Sequence, residues 1–166
     1  MTLDFFFPSF CPHCDEPKPQ NKLLCTPCSE HIEITKPNLL PKGPFLDGIA
    51  YALENEGALH TLKRRFIYQE KWHLAKPFAH LLFLSLQQLA WPGFTKLIHL
   101  PLPLHKRLFT PYNPNKLLAE SLSPLLSPSE NDTYLLIAHT SKPLYKLART
   151  LSKKNPKALY ALSLTK

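Results

Sequence analysis

The stretch "CPHCDEPKPQNKLLCTPC" holds every cysteine of the chain, as Cys11-x2-Cys14 and Cys25-x2-Cys28. Each Cys-x2-Cys can form a knuckle that aims two thiolates at one point, and two knuckles complete the tetrahedral S4 set that zinc prefers. A disulfide pair is disfavoured in a reducing cytosol, and a redox Cys-x2-Cys has no use for a second copy. The spacing therefore predicts one structural Zn2+ on Cys11, Cys14, Cys25 and Cys28, in a small ribbon over residues 1–40 whose folding depends on the metal. His13 and His31 lie nearby, but four sulfurs leave them no place on the ion. A closed S4 site stiffens a module and performs no chemistry. The function has to be sought downstream.

The chain has 166 residues, 44% of them hydrophobic and 11% aromatic, enough for a compact unit with a real core beyond the ribbon. The proline-rich residues 36–44 read as a linker. Strand patterns follow at 48–53, 97–100, 134–138 and 157–164. Helical patterns cover 58–66, 72–90 and 115–126, with a turn at 54–57 and Pro77 bending or breaking the second helix. A further helix is expected to start at Ser141 as its cap, with Pro143 in the first turn, and to run to about residue 153. Strands alternating with helices predict an α/β sheet with parallel strands and flanking helices over residues 45–166. The apolar stretch 78–89 contains His80, Ser85, Gln87 and Gln88 and is too short to span a bilayer. The opening MTLDFFFPSF has no basic n-region for a signal peptide. A cytoplasmic protein without a membrane span is expected.

Lys plus Arg outnumber Asp plus Glu by 20 to 12, which favours a polyanionic partner, nucleic acid more than membrane. Asp132 is the last acidic residue, and Lys142, Lys146, Arg149, Lys153, Lys154, Lys157 and Lys166 follow it. Lys142, Lys146, Arg149 and Lys153 recur at helical spacing, so they share one face while Leu144, Leu147 or Ala148, and Leu151 turn inward. A row of cations can track a phosphate backbone, with Tyr145 or Tyr112 available for stacking. The alternative is a solvated lysine-rich face with no partner. Lys63-Arg64-Arg65 reads as a solvated helix face, or as an extension of the same nucleic-acid-binding patch.

The apolar strand 134–138 enters "HTSKP", the place where α/β proteins usually bind ligands. Thr140, Ser141 and Lys142 at a helix N-terminus suit a phosphate. The loop has no glycine to let amides close around an anion and no carboxylate for ribose or a metal. His99 and His105 flank the proline run 101–103, as ligand contacts or as ordinary structural histidines.

Taken together, the four-cysteine ribbon, "YALENEGALHTLKRRFIYQEKWHLAKPFAHLL", "LIHLPLPLHKRLFTPYNPNKLLAESL" and "YLLIAHTSKPLYKLARTLSKKNPKALYALSLTK" resemble the ComF (ComFC/GntX) family. The resemblance implies a zinc ribbon joined to a type I phosphoribosyltransferase-like sheet, and an association with DNA uptake in natural transformation. It also implies that Pro101, Pro103, Leu104, His105, Arg107 and Asn113 are retained from a family motif, His105 and Arg107 being residual phosphate ligands. The family's two adjacent aspartates and Thr-Thr-Gly-x-Thr turn correspond here to Ala138-His139-Thr140-Ser141-Lys142-Pro143, without acids or glycine. The segment that family members carry before this strand is missing between Leu118 and Thr133, so residues 45–166 form a truncated version of the domain.

The reading these residues favour is a ComF-like competence protein without catalytic activity, handling single-stranded DNA beside protein partners of the uptake machinery. The alternatives are an active phosphoribosyltransferase using phosphoribosyl pyrophosphate, and a zinc-ribbon adaptor for a protein partner.

Overall fold

The computed structural model describes residues 9–20, 22–30, 32, 36–69, 71–102, 112–127, 129–130, 132–154 and 156–166. The ribbon consists of β1 (Ser9–Phe10), β2 (Pro17–Lys18) and the short helix α1 (Thr26–Glu30). There follow β3 (Asn38–Leu39), β4 (Gly48–Tyr51), α2 (Gly57–Tyr68), α3 (Ala75–Gln88), β5 (Lys96–His99), α4 (Pro114–Leu122), β6 (Thr133–Thr140), α5 (Leu144–Ser152) and β7 (Ala158–Thr165). Single 3-10 turns at Trp72–Leu74 and Ser123–Leu125 lead into α3 and out of α4.

The main sheet has the order β3-β4-β7-β6-β5, parallel except for β3, which runs antiparallel to β4. Its central strands are apolar on both faces, as a parallel sheet covered on both sides requires. On β6, Leu135 and Ile137 point into one core, whereas Tyr134, Leu136 and Ala138 point into the other. The first core is closed by Leu59, Leu62 and Phe66 of α2, Phe78, Ala79 and Leu82 of α3, and Leu118 and Leu122 of α4. Leu144, Ala148 and Leu151 of α5 close the second. The predicted mixed α/β fold with a mostly parallel sheet is therefore observed, with helices on both faces.

Local departures have physical causes. Residues 36–44 are not simply a linker, because Asn38 and Leu39 pair with Tyr51 and Ala50 at the sheet edge. Pro37 and Pro41 bracket this two-residue strand and mask its pattern, yet edge strands tolerate such prolines. Pro77 neither bends nor breaks a helix, since α3 starts at Ala75 and places it in the first turn, where no intrahelical amide donor is needed. Gly57 opens α2 at φ +52°, a conformation that glycine adopts without a Cβ penalty. A Cβ at Gly48 would lie 2.8 Å from the Tyr160 ring and 3.1 Å from Trp91, so β4 passes under that aromatic pair only as glycine.

Candidate functional site

The two cysteine pairs reach one point by different local routes. Cys11 and Cys14 occupy the tight turn after β1, where Cys11 N–H donates to Glu16 O (2.8 Å) and Asp15 N–H to Cys11 O (3.0 Å). Asp15 closes that turn at φ 59°, in the left-handed region that a short polar side chain tolerates. Cys25 immediately precedes α1 and Cys28 lies within it, with Ser29 N–H donating to Cys25 O (3.0 Å). The four Sγ atoms all lie within 4.8 Å of one another, and Cys14 is 3.5 Å from both Cys25 and Cys28. A disulfide needs about 2 Å. Zinc–sulfur bonds of about 2.3 Å give a tetrahedron with edges of about 3.8 Å, which these separations approach.

Burial opposes ionisation of Cys11, but amide N–H groups of Cys14, Cys25 and His13 outweigh it and bring the thiol down to about 6. Cys28 is pushed upward, chiefly by the neighbouring Cys25 thiol. Thiolates gathered this closely require a cation, and the quartet is a structural zinc site. A family model for the double zinc ribbon domain matches residues 2–39. No curated protein and no solved structure is significantly similar to the chain. His13 makes a hydrogen bond of 3.0 Å to Thr61 on α2, so it ties the ribbon to the sheet domain. His31 lies outside the described residues.

The second site lies beyond the ends of β6 and β7, where Thr140 pairs with Thr165. A pocket of about 420 Å³ opens there, lined by His60, Lys63 and Arg64 of α2 and by His139 and Thr140 of β6, with Tyr68 at its side. Helical spacing puts His60 on the same face of α2 as Lys63 and Arg64. Lys63 is half-buried and donates from Nζ to Thr165 Oγ1 at 2.7 Å, while loss of water lowers its pKa. Thr165 Oγ1 donates onward to His139 O at 3.4 Å.

His139 is held by Asn115, a side chain only 1% exposed. Asn115 Oδ1 accepts from the backbone N–H of His139 (2.9 Å) and lies 2.7 Å from His139 Nδ1. Asn115 Nδ2 donates to Leu100 O at 3.2 Å, which fixes the orientation of the amide. The oxygen can only accept, so the proton sits on Nδ1 of His139. No carboxylate lines the pocket among the described residues. By contrast, a cavity of about 710 Å³ beside Cys14 and Cys28 is edged by Glu54 and Glu56, whose carboxylates disfavour a polyanion.

The predicted basic patch divides. Lys142, Lys146, Arg149 and Lys153 are all exposed, but α5 begins at Leu144 and Lys142 stands in the turn before it. Ser141 does not cap the helix: its side chain is buried, and its carbonyl accepts from Leu144 N–H at 3.0 Å. The reason is that Pro143 takes the cap position, where no side-chain hydrogen bond is made. Lys63-Arg64-Arg65 is not one solvated face. Lys63 and Arg64 line the pocket at the strand ends, whereas Arg65 lines a different cleft beside the ribbon. The α5 row and α2 cover opposite faces of the sheet. Thr140 lines the pocket, while His105 and Arg107 lie outside the described residues. His99 Nδ1 lies 3.4 Å from Leu100 O, a backbone contact.

Sequence reasoning missed His60, His139 and Asn115. The His60-x2-Lys63-Arg64 spacing was a usable signal for a cationic helix face. Nothing local marks Asn115, whose role depends on a strand that arrives later in the chain.

Proposed function

We propose that this is a ComF-like protein without phosphoribosyl transfer activity, which handles single-stranded nucleic acid in the cytoplasm, in the setting of DNA uptake. The observation that carries the reading is the pocket at the strand ends: Lys63, Arg64 and His60 face Thr140 and His139 with no lining carboxylate among the described residues. Phosphoribosyl transfer needs acids to hold Mg2+ and ribose hydroxyls, whereas a phosphate backbone needs cations and donors. The exposed Lys146, Arg149 and Lys153 of α5 add charge on the other sheet face. No helix among the described residues is long and apolar enough to cross a membrane.

Zinc-loaded protein titrated with a poly(dT) oligonucleotide should bind with an affinity that falls steeply as salt rises. The same protein with phosphoribosyl pyrophosphate and Mg2+ should release no pyrophosphate. Saturable Mg2+-dependent release would establish the transferase reading instead, and failure to bind any oligonucleotide at low salt would remove the nucleic-acid reading.

A further inference from the structure

A second cationic surface lies away from the strand ends. Between the β1–β2 hairpin and the corner where α2 leads to α3 is a cleft of about 530 Å³. Lys18 and Lys22 line it from the ribbon, and Arg65, Lys71 and His73 from the sheet domain, with no Asp or Glu among its described lining residues. The one ion pair among the described residues is Lys116–Glu120, so none of these cations makes a contact ion pair with a described carboxylate. Lys18 Nζ donates to Lys22 O at 2.7 Å, which ties together the two lysines that line this wall.

Exposed aromatic rings lie in and beside the same cleft. Cys11 turns into the buried metal cluster, whereas Phe10 at the end of β1 points outward and lines the cleft at 55% exposure. On the opposite wall His73 lines the cleft, and just outside it Trp72, 67% exposed, meets His73 edge-on with ring centroids 6.3 Å apart. Unneutralised cations beside exposed rings form the combination that takes single-stranded nucleic acid: the cations follow the phosphates and the rings stack on bases. A duplex does not fit this chemistry, since its base faces are already stacked.

We infer that this cleft binds a segment of single-stranded nucleic acid, with Phe10 as a stacking platform and Lys18, Lys22, Arg65 and Lys71 along the backbone. The inference rests on the nucleic-acid reading above and makes the ribbon one wall of the binding site. Zinc is then required for binding, because the hairpin that presents Phe10 and Lys18 is closed by the cysteine cluster.

The test uses the full, zinc-loaded chain with labelled poly(dT) and poly(U), read by fluorescence anisotropy over a salt series. Phe10→Leu keeps the apolar bulk and removes the ring, and should weaken binding about fivefold or more. Lys22→Glu with Arg65→Glu should flatten the log-log salt slope by about 0.7 for each phosphate that is no longer neutralised. Zinc content and circular dichroism verify the fold of each variant. Crosslinking of the unaltered protein to an iodouracil oligonucleotide needs no variant, and should give adducts in the peptide containing Phe10 or in the one containing Trp72 and His73. Parent binding that these variants leave unchanged, or adducts confined to α5 and the strand-end pocket, would overturn the inference while leaving the nucleic-acid reading intact. No binding by the parent overturns both. Displacement of the oligonucleotide by an acidic peptide but not by a second oligonucleotide would assign the cleft to a protein partner and overturn it as well.

Discussion

Lys63 illustrates how one side chain acquires a role from its surroundings. On an isolated helix it would be a solvated cation, but here its ammonium is drawn to Thr165 Oγ1 and partly stripped of water. Desolvation penalises the charged form, which is the direction in which its pKa moves. A half-buried cation that pairs with no carboxylate among the described residues is a poor stabiliser and a good anion ligand. Lys63→Met keeps the stem and removes the charge, so it should leave the melting temperature unchanged or raise it, while oligonucleotide affinity falls. A lower melting temperature with unchanged affinity would make Lys63 structural. His139 is constrained in a comparable way, because a buried amide oxygen dictates which ring nitrogen carries the proton.

At the scale of elements, α5 is the clearest case of a helix divided between two environments. Leu144, Ala148 and Leu151 are buried against the sheet, and Lys146 and Arg149 project into solvent. Its periodicity alone identified both faces, since 3.6 residues per turn fixes which side chains align. Its start was not legible: Ser141 has a capping side chain, but the chain turns at Lys142-Pro143 and buries that serine. Lys146→Glu with Arg149→Glu should change folding stability by no more than about 0.5 kcal/mol in either direction, because both side chains are exposed. The same double change should weaken binding to all oligonucleotide sequences alike and flatten the salt dependence, since phosphate contacts carry no base information. Unaltered affinity at low salt would confine binding to the other face of the sheet.

For the molecule as a whole, the ribbon is not an appendage. Cys11, Leu24 and Cys25 belong to the same buried cluster as Leu59, Leu62 and Phe66, and His13 reaches across to Thr61. Helix α2 thus has one flank against the zinc module and another toward the strand-end pocket. Chelation should lower the melting temperature of the entire chain in a single transition, because losing the metal opens a core shared by both parts. Cys25→Ser should abolish the one zinc expected per chain, measured by elemental analysis, and reproduce the chelated state. A thermogram in which the sheet domain melts unchanged after zinc removal would show that the two parts fold independently.

What the amino-acid order determined by itself was whatever depends on short-range geometry. Two Cys-x2-Cys pairs announce a tetrahedral metal site, because each knuckle is a local chelate. Short apolar runs marked the four longer strands and a 3.6-residue period marked most of the helices, because a covered parallel sheet buries both strand faces and a surface helix buries one. Tertiary structure alone decided which distant residues meet. It set Lys63 on Thr165, clamped His139 with Asn115, paired the proline-bracketed Asn38 and Leu39 to the sheet edge, and turned Arg65 away from Lys63 and Arg64 toward the ribbon. The physical reason is that strand order follows from burying both faces of one sheet together. That requirement is a property of the assembled core, carried by no single segment.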